Sequence, residues 1–308
     1  MKIIRGLKNI NKIIGHSAVT IGNFDGFHKG HQKLVDQVMS TAKQKSIPST
    51  IITFEPLPEE YFKIKSFRRL TRLKDKLKMF QNIGIDQVIC INFNSDFSKI
   101  SANTFIEDLL IKKIKAQYLI IGEDFKFGSS RKGDYELLKN YKKMINIIKI
   151  ESFLENQKKV SSTLIREALT KGLIEDANNL IGRPYSISGR VTQGDKRGHE
   201  LGYPTANIDI YKSYAINGIF LVKVLMENNQ KYHGLASFGN KPTFSGKNTV
   251  LEVFIFDFNE NIYDKNIEII FFKKLRDQIK FENTQDLKHQ MDLDYKNALK
   301  IINKKNEL

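Results

Sequence analysis

The chain has 308 residues, a formal net charge of +16 and a single cysteine. At roughly 100–200 residues per domain this length predicts two domains. One cysteine excludes a disulfide framework and indicates a reducing compartment, so we expect a cytoplasmic protein. No apolar run reaches the roughly 18–20 residues that cross a bilayer, and the lysine excess carries no nucleic-acid recognition motif. We therefore expect neither a membrane nor a nucleic acid as a partner.

Apolar, β-branched stretches recur through the first 182 residues, and each is followed by a longer amphipathic or polar stretch. The predicted strands are residues 18–23, 49–54, 87–93, 116–121 and 146–150. This alternation is typical of βαβ units built around a parallel sheet. We expect an α/β domain with helices flanking the sheet.

A glycine-rich motif follows the first predicted strand. Residues 20–31 read T-I-G-N-F-D-G-F-H-K-G-H, and a helix is predicted to begin near His31. Backbone N–H groups at such a turn, together with the positive end of a helix dipole, bind phosphate. His28 and His31 can face the same anion, which favours nucleotidyl transfer by positioning and electrostatic stabilisation. A plain glycine turn and a zinc site are the alternatives.

Two later segments carry groups suited to an anion or a nucleotide. Residues 160–168, V-S-S-T-L-I-R-E-A, place Ser162 and Thr163 at a predicted helix start and Arg166 about one turn inside it. Residues 121–128, I-G-E-D-F-K-F-G, follow a strand end and precede Arg131. Ligands of open α/β sheets bind just past strand ends. Both segments favour a ligand site, although a capped helix alone also explains the first.

The pattern changes at I-G-R-P, residues 181–184, because glycine ends a helical pattern and proline prevents its continuation. Short strand-like runs follow at residues 186–191, 219–226, 232–238, 251–258 and 267–272. They predict a small antiparallel β-barrel. Apolar residues spaced by four predict a closing helix at 284–302. The expected domains are therefore residues 1–182 and 183–308.

A second glycine-rich segment, residues 189–207, reads G-R-V-T-Q-G-D-K-R-G-H-E-L-G-Y-P-T-A-N. Its glycines form a loop that can close over phosphates, and Pro204 keeps the following residues extended. Thr205 and Asn207 then lie on one face of a strand. Their hydroxyl and amide oxygens are hard ligands that suit Mg²⁺ bound to ATP phosphates. A plain glycine loop entering the barrel is the alternative.

Residues 251–258, L-E-V-F-I-F-D-F, alternate between two faces of a predicted strand. Alternation places Glu252 on the same face as Phe254, Phe256 and Phe258. A carboxylate in that position can act as a general base towards a substrate hydroxyl. The alternative is a surface acid at a strand start.

Taken together, these segments resemble a known family. G-N-F-D-G-F-H-K-G-H resembles the H-x-G-H nucleotidyltransferases. With T-F-E-P-L-P (53–58), R-L-T-R-L-K-D-K (69–76), G-E-D-F-K-F-G (122–128) and S-S-T-L-I-R (161–166), it resembles the adenylyltransferase module of bacterial bifunctional riboflavin kinase/FMN adenylyltransferases. G-R-P-Y-S-I-S-G (182–189), L-G-Y-P-T-A-N (201–207) and residues 251–258 resemble the kinase module. The resemblance runs from residue 3 to about residue 295.

The resemblance implies a Rossmann-like adenylyltransferase domain and a β-barrel kinase domain. These would convert riboflavin to FMN and FMN to FAD with ATP and Mg²⁺, releasing ADP and pyrophosphate, with no tightly bound prosthetic group required. The implied catalytic residues are His28, His31 and Glu252. In the adenylyltransferase, ATP would contact Gly22, Phe24, Asp25, His28, His31, Ser162, Thr163 and Arg166, and flavin would contact Asp124, Phe125 and Arg131. In the kinase, ATP would contact Gly194, Lys196, Gly198, Thr205 and Asn207, with Mg²⁺ at Thr205 and Asn207 and flavin at Glu252 and Arg276.

Three positions depart from the usual kinase pattern. His199 stands where Arg is common, Phe254 where His is common, and Gln278 where Glu is common. These departures leave open an adenylyltransferase whose barrel only binds flavin. The net charge leaves open an RNA-binding protein that does not turn over flavin.

Overall fold

The computed structural model of the chain describes residues 1–12, 16–193, 202–210, 214–240 and 249–306. Its contacts divide the chain into two compact units. The first comprises Met1–Phe67 and Thr71–Ser162, and the second comprises Arg68–Leu70 and Thr163–Leu308. Within the described residues, no helix is long and apolar enough to cross a membrane.

Parallel strands form the sheet of the first unit. They are β1 (Lys2–Arg5), β2 (Ser17–Ile21), β3 (Ser49–Phe54), β4 (Gln87–Ile91), β5 (Ala116–Gly122) and β6 (Asn146–Ile150), in the spatial order β1-β4-β3-β2-β5-β6. Every pairing is parallel, which confirms the predicted α/β class. β1 was not predicted, because a strand of four residues with a charge at each end gives little periodic signal.

Helices flank the sheet of the first unit. They are α1 (Lys29–Lys45), α2 (Pro58–Tyr61), α3 (Leu73–Asn82), α4 (Ser95–Ser98), α5 (Ala102–Thr104) and α6 (Tyr135–Lys139). Short 3-10 helices occupy Leu7–Lys12 and Ser129–Arg131, a π-helix occupies Phe105–Lys113, and β7 (Leu154–Glu155) pairs with β8 (Lys158–Lys159). Every residue of β2, β3 and β4 is buried, which explains their nearly continuous apolar sequences.

The second unit is a closed antiparallel barrel with helices. Its elements are α7 (Ser162–Thr170), α8 (Ile174–Ile181), β9 (Ser186–Thr192), β10 (Thr205–Ile208), β11 (Gly218–Leu225), β12 (Lys231–Asn240), β13 (Thr249–Ile255), β14 (Asn266–Arg276) and α9 (Thr284–Asn306). The barrel closes in the order β10-β13-β12-β11-β14-β9. The predicted barrel and closing helix are confirmed.

One strand of the barrel ends earlier than predicted. β13 ends at Ile255 and not at residue 258, because Asp257 has φ 51°, a left-handed conformation that does not continue a strand. The contacts of the chain change at Ser162, and the helices that precede the predicted boundary at residue 182 cluster with the barrel. The boundary at 182 stays a prediction.

Candidate active sites

The glycine turn of the first unit joins β2 to α1. His28 is the N-cap of α1, with φ −77° and ψ 172°, and its Nδ1 accepts a hydrogen bond from His31 N at 3.3 Å. The helix therefore begins at Lys29, before the predicted start near His31, because a histidine ring acts as the cap. The cap therefore places an imidazole ring beside the first turn of α1.

The turn holds two phenylalanines in left-handed backbone conformations. Phe24 has φ 47°, Phe27 has φ 40°, and Gly26 between them has φ 83°. Such a conformation costs about 1–3 kcal/mol for a residue other than glycine. Both phenylalanine rings are buried and lie edge-on to Phe80, at centroid distances of 5.8 and 5.3 Å. Burial of the two rings offsets the strain and fixes the turn.

The two histidines of the motif lie together. Their rings stack with centroids 3.7 Å apart and planes inclined by 18°, and Phe24 lies edge-on to His31 at 5.1 Å. Burial, then the neighbouring His28 and then Lys76, hold the pKa of His31 well below 6.5. His31 is therefore neutral near pH 7. Its buried Nδ1 has no hydrogen-bond partner among the described residues.

Asp25 and Ser162 lie at the same turn. The Asp25 carboxylate is buried and accepts a hydrogen bond from Thr71 N at 2.9 Å, and Gly26 N donates to Thr71 Oγ1 at 3.2 Å. Ser162 Oγ donates to the backbone oxygen of Asp25 at 2.8 Å. These bonds make Asp25 an anchor of the turn and bring the Ser162 hydroxyl to it.

The remaining predicted ATP contacts of this motif are placed differently. A Cβ at Gly22 would lie 3.3 Å from the Phe24 ring, so glycine lets that ring pack under the turn. The Phe24 ring is fully buried, so a contact between ATP and this ring is not possible without a change in the turn. Thr163 and Arg166 lie on α7 in the second unit, where Arg166 Nε donates to the backbone oxygen of Arg68 at 2.6 Å.

The three predicted flavin contacts of the first unit lie after β5. Phe125 is half-buried and its ring stacks on Phe127 at 5.3 Å with planes inclined by 22°. Asp124 is exposed and forms an ion pair with Lys159. Arg131 is exposed and has φ 56°. The structure places these residues at the carboxyl end of a parallel strand, where ligands of such sheets bind.

In the second unit, strand register forms a row of polar residues. Glu252 on β13 is opposite Asn207 on β10 and opposite Ser237 on β12. Directly opposite residues share a face of the sheet. Gln278 Nε2 donates to Ser237 Oγ at 3.3 Å, which adds an amide to this row. A carboxylate, two amides and a hydroxyl therefore lie on one face of the barrel wall.

The next row along the same face contains Phe254, which contacts the closing helix. Thr205 is opposite Phe254, and Phe254 packs with Tyr203 at 5.0 Å and with Tyr295 of α9 at 6.1 Å. The Tyr203 hydroxyl donates to the Asp292 carboxylate of α9. Burial and that carboxylate raise the pKa of Tyr203 to about 12. Helix α9 is therefore held beside the face that carries Glu252.

Arg276 also contacts α9. Its Nε donates to Asp294 Oδ1 at 2.9 Å, and its Nη2 donates to Asp294 Oδ2 at 2.7 Å. Gln290 Nε2 donates to the same carboxylate at 3.0 Å. Asp294 is buried, and the Arg276 side chain is only 17% exposed. This paired geometry ties the end of β14 to α9.

Three of the predicted kinase contacts, Gly194, Lys196 and Gly198, lie outside the described residues, as does His199. Within the described ranges, no group of three or more His, Cys, Asp or Glu side chains is arranged to hold a metal ion.

Comparison with known proteins matches each unit separately. Residues 10–164 match the family model described as FAD synthetase, and residues 181–302 match the one described as riboflavin kinase. A bifunctional riboflavin kinase/FMN adenylyltransferase of Buchnera aphidicola subsp. Schizaphis graminum is 44% identical over 98% of this chain and 99% of its own length. The chain belongs to the bifunctional riboflavin kinase/FMN adenylyltransferase family.

Further relatives of the family cover the chain equally well. The proteins of the same name from Haemophilus influenzae and Escherichia coli K12 are 39% and 36% identical, over 98% and 96% of this chain and 100% and 96% of their own lengths. A crystal structure described as a macrolide-efflux protein from Streptococcus pneumoniae is 30% identical, with a TM-score of 0.82 over 96% of this chain and 98% of its own. Macrolide efflux is named in the description of the Streptococcus protein, and it is not attributed to this chain.

Sequence reasoning missed several residues that line or support the two sites. Lys76 ends the R-L-T-R-L-K-D-K segment but was assigned no role of its own, and Ser237 has the sequence surroundings of an ordinary strand residue. Asp294 follows the helical pattern but carries no motif. Ser237 could have been identified only from the strand register. Lys76 could have been identified from its spacing from Leu77 and Phe80, which form the buried face of α3.

Proposed function

We propose that the histidine turn of the first unit transfers the adenylyl group of ATP to FMN, and that the polar row of the second unit transfers the γ-phosphoryl group of ATP to riboflavin. The chain thus makes FMN and then FAD, releasing ADP and pyrophosphate. The observation that carries the first assignment is the stacked His28–His31 pair at the start of α1. The second rests on the shared register of Asn207, Glu252 and Ser237.

In the adenylyl step, a phosphate oxygen of FMN attacks the α-phosphorus of ATP and the bond to pyrophosphate breaks. An FMN phosphate needs no base to remove a proton, so positioning and charge stabilisation carry the step. His28 and the N–H groups of the first turn of α1 would contact the phosphate oxygens. Neutral His31 stacks on His28 and keeps that ring in place.

In the kinase step, the terminal ribityl hydroxyl of riboflavin attacks the γ-phosphorus of ATP and ADP leaves. Glu252 takes the proton of that hydroxyl. Its place in the polar row supports this role. Asn207 and Ser237, opposite Glu252 on the neighbouring strands, orient the reacting groups. Helix α9 forms one side of this site through Tyr203 and Phe254.

The residues present fit Mg²⁺ carried by ATP. A hydroxyl and an amide oxygen, from Thr205 and Asn207, are hard donors on one face of β10. Because they are neutral and few, ATP phosphates would supply the remaining oxygen ligands. The ion would neutralise charge that develops on the transferred phosphoryl group.

The other contacts belong to the same proposal. Asp124, Phe125 and Arg131 would contact flavin in the first unit, and Arg276 would contact it in the second. Thr163 and Arg166 would contact ATP in adenylyl transfer, and Gly194, Lys196 and Gly198 would contact it in the kinase step. A cytoplasmic location is likewise proposed.

Chromatography of an incubation with riboflavin, ATP and Mg²⁺ tests the proposal. We expect FMN to appear first and FAD to follow. An enzyme that makes FAD from added FMN but no FMN from riboflavin would contradict the kinase assignment. Absence of both products would contradict the proposal as a whole.

A further inference from the structure

Lys76 of α3 is a buried cation close to the histidine turn. Its side chain is completely buried, and it is among the largest fully buried side chains of the chain. Removing an ammonium group from water is costly unless strong hydrogen bonds replace the water. A lysine in this position therefore needs specific acceptors around its Nζ.

Those acceptors lie at the start of the strained turn. Lys76 Nζ donates to the backbone oxygen of Asn23 at 2.8 Å and to Thr53 Oγ1 at 3.4 Å. Thr53 Oγ1 itself lies 3.4 Å from the same Asn23 oxygen. Asn23 directly precedes Phe24, the first left-handed residue of the turn. The ammonium group thus joins the ends of β2 and β3 to α3 at the point where the chain enters the turn.

Asn23 is also held through its side chain. Its Nδ2 donates to both carboxylate oxygens of Glu59, at 3.1 and 3.0 Å. The backbone of Asn23 is therefore fixed by a cation and its side chain by an anion. Two constraints on one residue define the direction in which the chain leaves β2.

The charge of Lys76 also acts on the histidines. Burial is the largest cause of the lowered pKa of His31, and the electrostatic effects of His28 and then of Lys76 add to it. A fixed positive charge disfavours a second proton nearby. Lys76 therefore favours the neutral form of His31.

We propose that Lys76 is a positioning residue for adenylyl transfer, which holds the Asn23 carbonyl so that the turn keeps His28 and His31 in place. The inference rests on the proposed function of the first unit. It assigns Lys76 no contact with substrate. Its effect is on how fast bound ATP and FMN react, more than on how tightly they bind.

Lys76→Met keeps an unbranched side chain that is one atom shorter and removes the charge. We expect the kcat for FAD formation from FMN to fall at least tenfold, while FMN formation from riboflavin in the second unit stays within twofold. The pKa of His31, followed by NMR, should move to higher pH, because one repelling charge is gone. Lys78→Met is the matched control, since Lys78 is an exposed lysine of the same helix; it should change neither quantity.

Thr53→Val keeps the shape of a buried strand residue and removes one acceptor of the ammonium group. We expect a severalfold fall in kcat for FAD formation with the His31 pKa still low. If Lys76→Met does not fold, Thr53→Val decides, and unchanged kinetics in it overturn the proposal. FAD formation within twofold of the unmodified chain in a folded Lys76→Met variant also overturns it. If the unmodified chain makes no FAD, the proposed function is contradicted instead. The NMR titration of His31 then tests the role of Lys76 alone.

Discussion

The two candidate sites hold their reactive groups in different ways. In the first unit, His28 and His31 come from one short stretch of chain and are fixed by a strained turn with buried phenylalanine rings. In the second unit, Asn207, Glu252 and Ser237 come from three strands and meet through register. The first site depends on local backbone geometry, and the second on long-range pairing.

This difference affects what a substitution can do. A change at the turn shifts both histidines together, because they share one backbone segment. A change at one barrel strand removes one group and leaves its neighbours in register. We therefore expect a substitution in the kinase site to remove the contribution of one group. A substitution in the turn should impair both histidines.

The largest expected effect is that of Glu252→Gln. The amide keeps the size of the side chain but cannot accept the proton of the ribityl hydroxyl. FMN formation should fall roughly 10²–10⁴-fold, the usual contribution of a general base. Chromatography of FMN from riboflavin measures it. FAD formation from added FMN should stay unchanged. A parallel loss of both products would show that the two reactions do not depend on separate sites.

His31→Ala should have the next largest effect. It removes the ring that stacks on His28 at 3.7 Å. The groups that donate to the phosphates then lose their fixed positions. The kcat for FAD formation should fall by about 10²–10³, as for loss of a preorganised donor. Riboflavin phosphorylation by the same preparation is the folding control. A variant that makes FAD at the normal rate would show that the stacked pair has no catalytic part.

The pH dependence of FAD formation should reflect the lowered pKa of His31. The neutral ring persists below pH 6.5, so the fall in activity on the acid side should lie below that value. Stability should behave consistently: the unfolded chain binds this proton more readily, so folding stability falls as pH drops through about 6.5. Rate profiles of kcat against pH measure the first effect. An acid limb at or above pH 6.5 would contradict it.

The smallest effect is expected for Tyr203→Phe. It removes the hydroxyl that donates to Asp292 and keeps the ring contact with Phe254. Loosening α9 should raise the KM of the kinase for ATP about threefold, in line with the loss of one hydrogen bond. Tyr232→Phe is the matched control, because its hydroxyl contacts Gln230 away from the polar row. Equal KM values in the two variants would argue against a role for α9.

The sequence predicted local features well. Strands β3 and β6 have the predicted bounds, and the histidine turn stands out because its residues are contiguous. The alternating pattern also identified a barrel and its closing helix. Periodicity carries this information because it depends only on which face of an element is buried.

Features that depend on distant parts of the chain were not predictable. The pairing of Ser237 with Glu252 follows from how β12 meets β13, which no local pattern reveals. Lys76 is buried only because α3 packs over the ends of β2 and β3. The strand end at Ile255 follows from the left-handed Asp257, a backbone choice that alternation cannot show.

The central claim is that each reaction has its own site in its own unit. Mixing the Glu252→Gln and His31→Ala variants with riboflavin, ATP and Mg²⁺ tests it most directly, with FMN and FAD followed over time. Neither variant alone should make FAD from riboflavin, while the mixture should, because FMN released by one variant is the substrate of the other. A Glu252→Gln variant that fails to convert added FMN to FAD would contradict the claim.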